Sequence, residues 1–217
     1  MSTPQEIYHS LKLEAVKKAL EGNFFQASVH DSLEGAEEYL IKTIVPAGPY
    51  ASVGFGGSAT VGASGLLPKL RAVPGLTVID RNDASQPPER RAELTRETML
   101  VELYVASVNA LTLDGQLVNI DKFGNRVAAI AYGPKKVALF VGRNKIVPDI
   151  HAALARAIAP AAAMNSIRLG LETPCAKTGK CHDCRGASRI CGVTSITQRS
   201  FPEGRIHVLL INQDLGF

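Results

Sequence analysis

The chain has no tryptophan, and only 6% of its residues are aromatic. A surface that stacks bases needs rings set beside a basic groove, and a formal charge of +4 gives no strong basic face. Nucleic acid is therefore not an expected partner. No run approaches the roughly 20 apolar residues that cross a bilayer. The opening MSTPQEIYHSLKLEAVKKAL also lacks the apolar centre of a secretory signal. The expectation is a cytoplasmic protein with no membrane span. There is no internal repeat and no low-complexity linker. The 217 residues suit one α/β domain with a well-buried core and are too few for two. That domain is expected to span 1–217, with 1–45 as an amino-terminal helical extension and 170–192 as a cysteine-rich loop.

What is present concentrates between Ser107 and Val147. Leu111 to Leu113 and Gln116 to Ile120 flank Asp114-Gly115, a dipeptide that tolerates positive φ and so predicts an antiparallel hairpin. A second corner at Lys122 to Asn125 leads into Val127 to Ile130 within what reads as a strand-rich centre. Val137 to Val141 is apolar on both faces and too tightly bounded for a helix, which predicts a central strand covered on two sides. Polar side chains crowd the strand ends: Asn109, Thr112, Asp114, Asn119, Asp121, Asn125, Arg126, Arg143, Asn144 and Lys145. Ligands of open α/β sheets collect at such ends.

Around this centre, Thr3-Pro4-Gln5-Glu6 has the order of a capping box and predicts a helix over 4–21. Phe25, Ala27 and Val29 alternate as a short strand, and Asp31 with Glu34 predicts a capped helix to about Ile44. Tyr50 to Phe55 reads as a strand running into Gly56-Gly57-Ser58-Ala59-Thr60, a tight turn that can present N–H groups to an anion, with Ser58 as a helix cap. It is neither a Walker A loop nor a dinucleotide fingerprint. Leu76 to Asp80 completes a βαβ unit with a parallel partner. Residues 87–102 predict a solvated, charge-rich helix. Pro148-Asp149 and then Pro160 predict two successive helices. Thr194 to Ser200 and Ile206 to Ile211 predict strands joined at Pro202-Glu203-Gly204. The fold class is α/β: a mixed, mostly parallel sheet flanked by helices, with an antiparallel hairpin insertion.

All four cysteines fall in PCAKTGKCHDCRGASRIC, at Cys175, Cys181, Cys184 and Cys191. Two residues between Cys181 and Cys184 let one turn offer both thiolates to a single centre, and the outer pair can close the shell. Four thiolates around zinc or a [4Fe–4S] cluster leave a net charge of about −2, which Lys177, Lys180, Arg185 and Arg189 can offset. A zinc or iron–sulfur centre, reduced structural thiols and redox-active disulfides all fit the spacing.

The segments GFGGSAT, DGQLVNID, GNRVAAI, GPKKVALFVGRNKIV and the final LGF resemble the lactate-utilisation (LUD) domain family, in particular lactate utilisation protein C and its stand-alone relatives. PCAKTGKCHDC marks a cysteine-bearing subgroup of them. The resemblance runs from about Phe24 to the end. It implies a fold similar to the sugar-phosphate isomerase and CoA-transferase class. It also implies a place beside iron–sulfur partner proteins that oxidise L-lactate to pyruvate in bacteria. Glu102 stands where an aspartate of the family is expected, which speaks against a catalytic part for that carboxylate.

Three functions are consistent with these readings. The first is an accessory or electron-transfer component of L-lactate oxidation. The second is an enzyme on a small phosphorylated or carboxylated ligand at the Gly56 to Thr60 turn, with Lys145 and Arg126 holding the anion and Asp114 or Asp121 as general base. Each aspartate also reads as an ordinary turn residue. The third is a regulatory partner domain, which leaves no signature in sequence.

Overall fold

The structure, a computed structural model, describes residues 3–217. Helix α1 (Pro4–Gly22) begins with the anticipated capping box: Glu6 N donates to Thr3 Oγ1 at 3.2 Å while Thr3 N donates to Glu6 Oε2 at 2.6 Å. Strand β1 (Gln26–His30) leads to α2 (Leu33–Tyr39), which is capped by Ser32 rather than Asp31, and a π-helical turn carries it on to Ile44. Next come β2 (Ser52–Phe55), α3 (Ala59–Gly62), α4 (Leu66–Arg71), β3 (Thr77–Ile79) and α5 (Pro88–Glu97). Helix α5 buries none of its side chains, as its charges predict.

Strand β4 (Leu103–Ala106) opens the centre, followed by the hairpin of β5 (Ala110–Thr112) and β6 (Leu117–Asp121). The segment after the second corner is a helix, α6 (Asn125–Ala131), and not part of a strand. Its apolar side chains Ala129 and Ile130 face the core one way only, which a helix satisfies and a fully buried strand does not. Strand β7 (Lys136–Gly142) precedes β8 (Ile146–Val147), α7 (Ile150–Arg156), α8 (Ala162–Arg168) and α9 (Pro174–Thr178). The two expected helices at 148–168 are one path: Pro160 lies inside a π-helical turn, Ala157–Ala161, that joins α7 to α8. A π-turn absorbs the backbone hydrogen bond that proline cannot donate. Strands β9 (Val193–Thr197) and β10 (Ile206–Ile211) close the chain but do not pair with each other.

Six strands make a parallel sheet in the order β1-β10-β7-β4-β2-β3, and β8-β5-β6-β9 make a second, mixed sheet. Alternation sorts the layers. Val137, Leu139 and Val141 of β7 point to the face covered by α1 and α6, whereas Ala138 and Phe140 point to α2, α3 and α4. β4 and β10 follow the same division, so a slip of one residue would swap both layers. The amino-terminal segment is part of this body: β1 pairs with β10, and α1 buries Leu13, Val16 and Leu20. The second sheet packs on α7 and the π-turn through Val118, Ile120, Ala153 and Ala157. It stands at the carboxyl ends of the parallel strands, because β5 follows β4, and β8 follows β7, within a few residues.

Candidate functional site

From β2 the chain steps outward to β3 and then returns to place β4 on the other side of β2. Neighbouring strands leave such a reversal in opposite directions and open a crevice at their carboxyl ends. A cavity of about 430 Å³ lies there, a size typical of small-molecule sites. Gly57 and Ser58 enter it after β2, Arg81 after β3, Ser107 and Asn109 after β4, and Lys145 after β7.

Lys145 is the most constrained of these. It is 3% exposed, and its Nζ donates to Thr60 Oγ1 at 2.9 Å, Ser107 Oγ at 2.9 Å and the Val108 carbonyl at 3.1 Å. All three partners are neutral. Burial, reinforced by the nearby Arg156 and Arg126 charges, brings its ammonium pKa down from 10.5 to about 7. The segment Leu215-Gly216 lies over it. Asn144 Oδ1 accepts from Leu215 N at 3.0 Å, and a Cβ on Gly216, whose φ is +60°, would fall 2.5 Å from Thr60 Oγ1. Only glycine fits that position.

Arg126 and Asp121 form the cavity's floor. Arg126 donates through Nε and Nη2 to Asp121 Oδ1 at 3.0 and 2.7 Å, through Nη1 to the Ser107 carbonyl at 3.1 Å, and through Nη2 to Asn109 Oδ1 at 2.7 Å. The other Asp121 oxygen accepts from Val127 N at 2.9 Å. Both groups are nearly buried and committed to each other, so they fix the ends of β4 and β6 in place. Arg81 is different. Its Nε is buried with no hydrogen-bond partner among the described residues, and its guanidinium lies against Gly57, where a Cβ would come within 2.6 Å of Nη2.

The structure therefore brings together Gly57, Ser58, Asn109, Asp121, Asn125, Arg126 and Lys145 around one cavity. Gly56 sits just behind it, tight against the Tyr104 hydroxyl, and Ser58 caps α3 by accepting from Val61 N at 3.2 Å. Asn144 serves the carboxyl segment. Thr112 and Asp114 are elsewhere: the Thr112 hydroxyl donates to Asp114, whose backbone carbonyl accepts from Asn23 Nδ2 at 2.8 Å, and the hairpin tip packs on the end of α1. The hydrogen bond from Thr112, and after it the one from Gln116 Nε2 at 2.7 Å, hold the Asp114 carboxyl below its usual range. Asn119 is buried within β6, and its two side-chain polar atoms have no partner among the described residues. Glu102 is at the opposite end of β4, bound to Ala51 N and Lys135. Arg81 and Ser107 belong to the site although the sequence reading did not name them as ligand-binding residues, and Thr60, the end of the Gly56 to Thr60 turn, joins it through Lys145. The first two directly follow strands, which is the signal that marks them.

A second cavity, of about 240 Å³, adjoins the first: Ile120 and Ile190 line both. All four cysteines line it, and all four are free thiols. Among the described residues no three His, Cys, Asp or Glu side chains are grouped closely enough to hold a single metal ion.

A family model of the LUD domain matches residues 13–211. The chain belongs to the LUD-domain family. That family is associated with lactate utilisation in general. A DUF162-family protein from Deinococcus radiodurans, known from its crystal structure, is similar in fold to this LUD-domain chain, with a TM-score of 0.51 at 11% identity over 94% of this chain and 98% of that one. No curated protein matches. The mostly parallel α/β architecture is thus that of the LUD domain, and no helix among the described residues is long and apolar enough to cross a membrane.

Proposed function

We propose that the strand-end cavity binds a small organic anion bearing a carboxylate or phosphate, and that the protein serves lactate utilisation through this site. One observation carries the reading: Arg81 and Lys145 face the cavity with no side-chain carboxylate partner among the described residues. Five basic side chains line it against one acidic side chain, Asp121, which Arg126 already occupies. A ligand anion supplies the missing counter-charge. Lys145, balanced near neutrality, takes up a proton as the anion arrives and is also the group best poised to accept one from a bound substrate. Asp121, with both oxygens engaged, is a positioning residue for Arg126.

Calorimetric titration with L-lactate, pyruvate and a sugar phosphate tests this. At least one binds, and Arg81→Ala weakens that binding by about tenfold or more, the usual worth of a hydrogen bond to a charged group. No heat with any of them, or unchanged affinity in the variant, overturns the reading.

A second reading, an electron-transfer component of L-lactate oxidation to pyruvate working with iron–sulfur partner proteins, is favoured by the cysteine-lined cavity sharing a wall with the anion cavity. Anaerobic purification of the tagged chain tests it through co-elution of iron–sulfur proteins in stoichiometric amount. Elution of the chain alone, from cells oxidising lactate, argues against it.

A further inference from the structure

Between residues 174 and 199 no side chain is fully buried, and from 179 to 192 the chain has no helix or strand. A loop this long with no buried side chain is uncommon in a compact domain and is usually a functional one. Its four cysteines meet at one cavity. Cys175 comes from the start of α9, Cys181 and Cys184 from one turn, and Cys191 from the run into β9, and each lines the same cavity. There is no disulfide among them.

The details of the loop favour thiolate ligands. Asp183 has φ +44°, a left-handed conformation uncommon outside glycine, and it turns its own N–H toward Cys181 Sγ at 3.5 Å. Strained backbone persists where the surroundings demand it. The Thr173 hydroxyl is 3.2 Å from Cys175 Sγ, where either group can donate, and Cys175 Sγ donates to Ser166 Oγ at 3.8 Å. Hydrogen bonds to cysteine sulfurs tune iron–sulfur centres, and the Thr173 hydroxyl is within reach to give one to a Cys175 thiolate. Arg189 ties the turn to the far end of the loop: it donates to the carbonyls of Cys184 at 2.5 Å and Cys191 at 2.8 Å and to Asp183 Oδ1 at 2.7 Å. A cation is thereby fixed at the rim of the cavity.

Size separates the candidates. Thiolates around a single zinc ion must crowd within bonding distance of one point, about 2.3 Å from each sulfur. Among the described residues no three His, Cys, Asp or Glu side chains are grouped to hold one ion. The four cysteines instead share the lining of a cavity of about 240 Å³, where one water needs only about 10–15 Å³. The space between them suits a polynuclear centre.

We propose that Cys175, Cys181, Cys184 and Cys191 bind one [4Fe–4S] cluster in the cavity beside the anion site. The four thiols give up their protons as iron–sulfur bonds form. Two ferrous and two ferric ions, four sulfides and four thiolates then sum to about −2, offset by Arg189 and the loop lysines. The electron-transfer reading needs this centre, whereas the anion reading does not, so the two fail separately.

The test is anaerobic reconstitution of the full chain with ferrous and ferric iron and sulfide, followed by removal of unbound iron. About four irons and about four sulfides remain per chain, with broad visible absorption that dithionite bleaches. Cys175→Ser, Cys184→Ser and Cys191→Ser each lose most of the iron. Cys181 is exposed, so Cys181→Ser keeps the fold and still lowers iron content even if Cys191→Ser does not fold. One zinc per chain, two irons per chain, or iron retained when all four cysteines are serine overturns the proposal. Titration of the metal-free chain with the anions above reports on the other cavity independently.

Discussion

The strand-end cavity and the cysteine cavity touch at Ile120 and Ile190 but are built on opposite principles. The first is framed by the last residues of parallel strands, and its floor is a buried ion pair whose Arg126 also donates to the carbonyls of Ser107 and Ile120. Its shape is set before any ligand arrives. The second is enclosed by a loop without a core, held by Arg189 and by the turn at Asp183. Its shape depends on what fills it. A preorganised site gives up little entropy on binding, whereas a loop that is fixed by a metal centre converts binding into folding energy.

The contrast breaks most visibly at Asp121. Asp121→Ala leaves Arg126 charged and buried without its partner, which costs about 3–5 kcal/mol. Urea unfolding measures this as a lower midpoint with unchanged slope. A loss below about 1 kcal/mol would mean that the floor of the first cavity is as pliable as the loop.

Gly216→Ala comes next. The left-handed backbone costs about 1–2 kcal/mol, and the new methyl meets Thr60. The segment over Lys145 then lifts, so the variant loses anion affinity as well as stability. Loss of stability with affinity intact would detach this segment from the site.

The ends of the β5–β6 hairpin show what sequence can and cannot place. Asp114-Gly115 marked the turn, the capping box at Thr3 marked α1, and the apolar run Val137 to Val141 marked a strand inside the sheet; local chemistry decides all three. Polar residues at strand ends were pooled as one rim. A hairpin has two ends, however, and its turn lies a strand's length from its open end. Asn109 and Asp121 share the open end at the cavity, while Thr112 and Asp114 sit at the turn on α1. Arg81 and Ser107 were harder to find. Their importance comes from the reversal in strand order between β2 and β4, which no local pattern encodes. Likewise Pro160 reads as a helix start, because the π-turn that accommodates it forms only with α7 and α8 packed on the second sheet.

Proton uptake sharpens the same comparison at smaller amplitude. Lys145 has a folded pKa of about 7 against 10.5 in the unfolded chain. Between those values the unfolded state binds the additional proton, so unfolding free energy rises with pH, by at most about 1.4 kcal/mol per unit from this group. Below pH 7 both states are protonated and the slope vanishes. Lys145→Met removes its share of the slope, which denaturation at pH 7 and pH 9 measures by difference. Lys136, lowered to about 8 by burial, contributes its own slope in both proteins and cancels. Anion affinity moves the other way: it falls as pH rises above 7, because the proton must then be drawn from solution. Equal slopes in the two proteins would show that Lys145 is charged throughout and holds no reserve for the ligand.

The smallest effect is expected in the loop. In metal-free protein, Cys181→Ser replaces an exposed thiol that accepts one long N–H contact, in a stretch with no buried side chain. Such surface changes fall within about 0.5 kcal/mol. On the proposed reading, loading the loop with iron reverses the ranking, because the wild-type chain then gains stability with the logarithm of free ligand concentration over the dissociation constant, and the variant does not. Thermal melts with and without reconstitution measure both numbers. A large loss in the metal-free variant would mean that the loop is rigid by itself, and the difference between the two cavities would disappear.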